Sequence, residues 1–271
     1  MRIVSLLPSA SDIVAALQGA DYLVGVSHSC DARWSHLPSL TSTRIDKTDS
    51  PRDIDTQVKS SDAPLYMLDI DRLEELAPDL IITQELCDVC AVPAGDVRAA
   101  IENLSGRPEL LTLSPFRLED VADCFQDVAQ ATGLMTQGND LQKQWQDTLA
   151  RYRGYFQNRK PGVAFLDWLD PPFAAGHWVP DIIELTGCSS MLVRPGDPSR
   201  EIVWDDVRHC GADIVMAACC GQDKAQAEMA CHAIPDDIDV HLLDGDVLFS
   251  RPSPSLMDSI GVFVKTLENK I

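Results

Sequence analysis

Short apolar runs alternate with amphipathic stretches from one end of the chain to the other. Arg2-Ile3-Val4-Ser5-Leu6-Leu7 is a β-branched run, and Ser9-Ala10-Ser11-Asp12 gives an S-x-x-D start signal before Ile13, Val14 and Leu17 at helical spacing. That pattern predicts strand, turn and helix. Residues 22–27 read as a second strand, 73–76 as the end of a helix, and 79–83 as a third strand behind Pro78. A helix is expected over residues 95–103 and a strand over 109–113. Leu118, Val121, Phe125 and Val128 then recur at helical spacing, and the run closes on Gly133.

From Leu141 the apolar residues Trp145, Leu149, Tyr152 and Phe156 hold one helical stripe, which predicts a single long helix over about residues 136–159, ended by Lys160-Pro161-Gly162. A second alternation follows through residues 163–168, 181–186, 213–218 and 240–243, with a closing helix over 255–267. The second half echoes the first. Asp12-Ile13-Val14-Ala15-Ala16-Leu17 is answered by Asp181-Ile182-Ile183-Glu184-Leu185, and Ala77-Pro78-Asp79-Leu80-Ile81-Ile82 by Gly211-Ala212-Asp213-Ile214-Val215-Met216. The unequal spacings indicate a diverged duplication and not a repeat array. The expected fold is α/β: two Rossmann-like lobes with mostly parallel sheets, residues 1–134 and 161–271, joined by one long helix over 135–160. A ligand is expected in a cleft between the lobes, outside the carboxyl ends of the strands.

Composition narrows the function classes. The chain has 271 residues, 45% of them hydrophobic, enough for one or two real cores. No run approaches the eighteen or so apolar residues of a spanning helix. A formal charge of −20 repels nucleic acid and anionic membrane surfaces, so neither is expected as a partner. Residues 1–10 lack the succession of a secretory signal, and the nine cysteines are odd in number and scattered, which suits a reducing compartment. The expectation is a cytoplasmic monomer.

Two loops carry candidate metal chemistry. Ser27-His28-Ser29-Cys30-Asp31 follows the second strand, and Cys87-x-x-Cys90 follows the third. If both loops open on one sheet edge, Cys87, Cys90, His28 and Cys30 make a four-ligand set for zinc or a softer metal such as iron. The plainer alternative is that Cys87 and Cys90 are small packed residues. Cys219-Cys220-Gly221 occupies the matching place in the second half, with Cys219 the more suitable functional thiol.

The densest signal is Trp168-Leu169-Asp170-Pro171-Pro172-Phe173-Ala174-Ala175-Gly176-His177-Trp178-Val179-Pro180. Prolines, a glycine and aromatic residues between a strand and a helix make a stiff loop that presents flat apolar surface to a planar ligand. His177 is a candidate ligand for a metal centre within that molecule. The alternative is that the tryptophans plug the base of a lobe. Arg251, in Phe249-Ser250-Arg251-Pro252, is a candidate anchor for a carboxylate, amide or phosphate. No G-x-S-x-G, H-E-x-x-H, G-x-x-x-x-G-K-[ST] or G-x-G-x-x-G occurs, and nothing in the pattern requires catalysis.

Arg2-Ile3-Val4-Ser5-Leu6-Leu7-Pro8-Ser9-Ala10, Leu23-Val24-Gly25-Val26, Leu76-Ala77-Pro78-Asp79-Leu80-Ile81-Ile82 and the mid-chain helix resemble the iron-siderophore and cobalamin periplasmic-binding protein family. The likeness covers the whole chain in order and implies the substrate-binding component of an ABC importer, with a permease as partner. Asp170-Pro171-Pro172-Phe173 and Glu201-Ile202-Val203-Trp204 look most like the cobalamin binder, so Phe173 and Trp204 are expected against a corrinoid. Trp168, His177, Trp178, Arg251, Gln84 and Glu85 complete the expected ligand contacts, with no cofactor required beyond the bound corrinoid. The resemblance also implies one acidic docking residue per lobe. Asp96 lies near the first position, whereas Cys210 falls near the second beside Asp205 and Asp206. Where the cobalamin binder has an aromatic residue, this chain has Gln84-Glu85-Leu86-Cys87-Asp88-Val89-Cys90. The alternative function is therefore a thiol and histidine metal-binding protein, or a metalloenzyme, on the same scaffold.

Overall fold

The structure is a computed structural model that describes residues 1–46, 49–60, 65–85, 92–102 and 104–270. In chain order its elements are β1 (Ile3–Ser5), α1 (Pro8–Ala16), β2 (Leu23–Val26), β3 (Thr41–Thr43), α2 (Pro51–Ser60), β4 (Tyr66–Leu68), α3 (Ile70–Leu76), β5 (Leu80–Gln84), α4 (Ala94–Glu102), β6 (Glu109–Leu113), α5 (Leu118–Thr132) and α6 (Met135–Tyr152). The second half continues with β7 (Gly162–Leu169), β8 (Pro172–Ala174), α7 (Val179–Leu185), β9 (Ser189–Ser190), β10 (Arg200–Glu201), α8 (Trp204–His209), β11 (Ile214–Ala217), α9 (Lys224–Glu228), β12 (Val240–Leu242) and α10 (Leu256–Glu268).

The chain forms two α/β units. The first comprises Met1–Lys47, Gln57–Ser114 and Ala122–Lys143; the second comprises Thr48–Thr56, Pro115–Val121 and Gln144–Ile271. In the first, four parallel strands run in the order β2-β1-β5-β6. Ile3, Val4, Ile81 and Ile82 are fully buried, as continuous apolar strands covered on both faces must be. Val4, Leu6, Leu40, Leu73, Ile81, Val92, Val97 and Leu104 pack as one core. In the second unit the order is β10-β8-β7-β11-β12, with β9 parallel to the start of β7. β7, β11 and β12 are parallel, while β8 runs antiparallel to β7 and β10 antiparallel to β8. Ala164, Leu166, Leu169, Ala174, Val207, Ala217 and Cys219 centre its core.

The duplication read from sequence has a physical counterpart. Asp79 accepts the Arg2 N–H through Oδ2 at 2.7 Å and donates its own N–H to the Arg2 carbonyl at 2.8 Å. Asp213 treats Gly162 identically, at 2.7 and 2.8 Å. Each clamp sets the register that follows, Ile3 opposite Leu80 and Val163 opposite Ile214. Each is preceded by a left-handed residue, Ala77 at φ 41° and Gly211 at φ 75°, that turns the chain out of a helix.

Two expected boundaries move. α1 starts at Pro8 behind Leu7, with no side-chain cap, and Ser9 and Ser11 are buried inside it instead of capping it. Proline at the first helical position supplies the fixed φ and wastes no N–H, so no serine cap is needed. The long helix ends at Tyr152 and not near residue 159. Gly154 turns at φ 68°, after which the N–H groups of Gly154 and Phe156 go to the carbonyls of Leu185 and Thr186, each at 2.7 Å. Those tertiary bonds replace the helical ones that the apolar stripe alone predicted.

Candidate functional site

The hairpin of β7 and β8 carries the aromatic candidates. Trp168 and Phe173 face each other in register, and Phe173 is also opposite Glu201 of β10. The Ile202 N–H bonds the Pro172 carbonyl at 2.9 Å, which brings Trp204, first residue of α8, to the same end of the sheet. Trp168 and Trp204 pack on the apolar core yet stay half-buried, as does Phe173. The Trp168 indole N–H reaches the Asp170 carbonyl at 3.1 Å, fixing the ring over the hairpin turn. Flat apolar rings held on a rigid sheet end and left partly open are what a planar ligand needs.

The turn itself is charged. Asp170 is almost wholly buried and accepts from Arg52 of α2, Nη2 to Oδ1 at 2.5 Å and Nε to Oδ2 at 3.3 Å. His232 places Nε2 3.9 Å from Oδ2. The sequence pattern singled out neither Arg52 nor His232, because they lie 118 residues before and 62 residues after the carboxylate they meet.

Asp167 was also missed. Leu166 pairs with Ala174 and Trp168 with Phe173, so Asp167 is the extra residue of a β-bulge. Burial pushes its carboxyl up to about 6, partly offset by a hydroxyl donated from Ser199. Ser199 is fixed in turn by the Gly176 N–H at 3.0 Å. A single Asp in a strand carries no periodic signature; only the bulge reveals it.

The remaining candidates are spread through the two units. His177 sits at φ 53°, its N–H on the Asp197 carbonyl at 2.7 Å, and its ring lies between Phe116 at 6.1 Å and Trp178 at 5.7 Å. Burial pulls its imidazole below the usual histidine range, which favours the neutral, ligating form. Trp178 is buried and its indole N–H is spent on the Phe249 carbonyl at 2.6 Å, the packing role that the alternative reading allowed. Arg251 is buried too, with Nη2 on Asp246 at 3.2 Å. In the first unit Gln84 closes β5 in a buried position, while Glu85 is exposed and bound by Arg98 at 3.3 and 3.4 Å.

Of the four proposed metal ligands, Cys87 and Cys90 lie outside the described residues. His28 holds Thr41 through Nδ1 at 2.7 Å and Ser29 through Nε2 at 3.2 Å, and stacks on Tyr66. Cys30 bonds Ser11 at 3.3 Å. Since Ser5 donates to the Leu7 carbonyl and Ser11 donates to Ser5, the Cys30 thiol is the donor to Ser11. Cys219, the favoured functional thiol of the second half, is instead core: burial, with the nearby Asp167 charge, pushes it up to about 12. A thiol that stays protonated is a poor ligand and nucleophile.

A cavity of about 540 Å³ opens beside the amino ends of β11 and β12, lined by Arg208, Asp213, Asp237, Asp239, His241 and Lys270 among others. None of the aromatic candidates borders it, and it lies at the opposite strand ends from the hairpin turn. Of the implied docking acids, Asp96 is exposed in the first turn of α4, and Asp205 and Asp206 in that of α8.

No protein-family model and no curated protein matches the chain. Solved structures do. The periplasmic vitamin B12 binding protein BtuF of Vibrio cholerae is 17% identical, with 99% of this chain and 97% of that chain aligned at a TM-score of 0.69. The periplasmic heme-binding protein RhuT from Roseiflexus sp. RS-1 is 20% identical over 99% and 98%, at 0.70. A periplasmic heme binding protein from Pseudomonas aeruginosa is 17% identical over 98% and 91%, at 0.72. End-to-end coverage of both partners, on the strand and helix order described above, identifies the fold of this chain as that of the periplasmic substrate-binding proteins.

Proposed function

We propose that this chain is a binding protein for a corrinoid or a related metal chelate, working as the substrate-binding component of an ABC importer and not as an enzyme. The observation that carries the reading is the rigid aromatic end of the β7–β8 hairpin, where Trp168, Phe173 and Trp204 are held half-buried. A chelate ring offers a broad apolar face with few hydrogen-bonding atoms, and half-buried rings lose their remaining water against such a face. His177 lies away from this end of the sheet, between Phe116 and Trp178, and the reading does not depend on it. On this reading the chain needs no resident cofactor, since the corrinoid is cargo. It acts outside the cytoplasm, as the names of the similar structures favour, and meets a permease there.

The test is calorimetric titration of the metal-analysed protein with cobalamin, cobinamide and haem. Trp204→Ala and the double variant Cys87→Ser/Cys90→Ser are titrated alongside. Saturable binding that weakens about tenfold or more in Trp204→Ala and survives in the cysteine variant supports the reading. No binding of any chelate, with stoichiometric zinc or iron lost in the cysteine variant, moves the function to the thiol loop. Cell fractionation separates an extracytoplasmic from a cytoplasmic chain.

A further inference from the structure

We infer that Arg52, aimed by Asp170, is an anion-recognising residue, and that the bound molecule carries a carboxylate or phosphate beside its apolar face. This rests on the binding-protein reading for the aromatic wall, and adds the chemical class of a substituent. Arg52 is 68% exposed and Asp170 only 5%, so a buried carboxylate has been placed beneath a surface guanidinium. Burying a carboxylate is costly unless it is paired. Here the pairing orients the arginine, because Asp170 takes its side-on edge, Nε and Nη2, with two bonds.

A guanidinium has five N–H donors in a fixed plane. With the side-on edge committed, the end-on pair formed by an Nη1 N–H and the second Nη2 N–H remains, and those two N–H groups make no hydrogen bond among the described residues. That fork matches the two oxygens of a carboxylate or phosphate. His232 does not compete for Asp170. Its Nδ1 donates to the Met229 carbonyl at 3.0 Å and its Nε2 stands 3.9 Å from Asp170 Oδ2, beyond hydrogen-bond distance, so the two Arg52 bonds to the carboxylate are left in place.

The surroundings complete the subsite. Val203 and Met229, each 60% exposed, and the half-buried Trp168, Phe173 and Trp204 belong to the segments that frame the turn. The chain as a whole carries −20, which disfavours an anion at long range. Recognition of an anionic group therefore has to be local and bidentate, and Arg52 supplies that geometry. Asp170 is a positioning residue, acting through Arg52.

The experiment follows the Arg52 Nε–Hε resonance in ¹⁵N-arginine-labelled full-length protein, assigned by its disappearance in Arg52→Gln. The protein is titrated with 2-naphthoate, phenyl phosphate and the uncharged 2-naphthamide. A saturable shift with naphthoate or phenyl phosphate, absent with naphthamide, is expected, and the tighter anion tells carboxylate from phosphate. Asp170→Asn, which removes a charge but little volume, and Arg52→Lys, which keeps the charge without the fork, should each weaken the anion about ten- to a hundredfold. An Arg52 resonance that neither anion moves overturns the inference, as does an equal response to naphthamide. If naphthoate moves Arg52 while cobalamin and haem fail in calorimetry, the chelate reading falls and the anion site stands.

Discussion

Asp167 gives a direct test of how burial sets the energetics of the β7 bulge. In the folded chain its carboxyl is raised from 3.8 to about 6, burial being the main cause. The folded state therefore holds a proton that the unfolded chain releases between about pH 4 and pH 6. Below that window the group is neutral in both states and costs nothing. As pH rises through it, stability falls, and above about pH 6 the folded state bears the whole cost of a buried anion. At about 1.4 kcal/mol per pKa unit the rise corresponds to roughly 3 kcal/mol, an upper limit because Asp167 is only partly shielded from water.

Asp167→Asn is neutral at every pH and still offers an oxygen to the Ser199 hydroxyl. Urea unfolding of both proteins at pH 4, 5, 6 and 7 should give equal midpoints at pH 4. The variant should gain through the window, reaching an advantage of up to about 3 kcal/mol at pH 7. A difference that does not change between pH 4 and pH 7, or a variant less stable at pH 7, would refute the argument. It would show that the Ser199 hydroxyl and its Gly176 support compensate the charge fully.

Other perturbations follow from geometry. A Cβ at Gly176 would sit 2.4 Å from the backbone of Asp197, Pro198 and Ser199, so Gly176→Ala should cost about 1–3 kcal/mol in urea unfolding. Trp178→Phe keeps the ring but leaves the Phe249 carbonyl without the indole N–H; the expected loss is about 1–3 kcal/mol, read as a lowered melting temperature. Asp79→Asn and Asp213→Asn weaken the two equivalent register clamps, and each should lose about 1 kcal/mol by denaturant titration, with the two losses adding in the double variant. Asp181→Asn loosens a carboxylate held by the Arg117 side chain at 2.6–3.1 Å and by the Leu118 N–H at 3.0 Å, so hydrogen exchange at Leu118 should quicken.

The alternation of strands and helices was legible because buried parallel strands must be apolar throughout and the helices between them must show one apolar face. The duplicated Pro78-Asp79 and Ala212-Asp213 turns were legible because the aspartate does the same hydrogen bonding in both. The end of α6 was not, since Phe156 continues the stripe in sequence while its N–H is claimed by Thr186. Within the candidate site, Trp168 and Phe173 were readable in an aromatic, proline-rich connection, and Trp204 through the family resemblance of Glu201-Ile202-Val203-Trp204. Arg52 and Asp167 were not. The first acts through a partner 118 residues away, and the second through a bulge that depends on how β8 happens to pair.

The second unit borrows two stretches from the first half of the chain, Thr48–Thr56 and Pro115–Val121. Arg52 and Arg117, one on each, meet Asp170 and Asp181, which follow them by 118 and 64 residues. On the ribosome both arginines emerge long before the carboxylates they neutralise, and both stretches wait in water until the C-terminal half is made. Closure of that unit is consequently a long-range, late event in synthesis. A fragment beginning at Gln144 would inherit Asp170 without its counter-charge, and its yield would suffer even though every strand of its sheet is present.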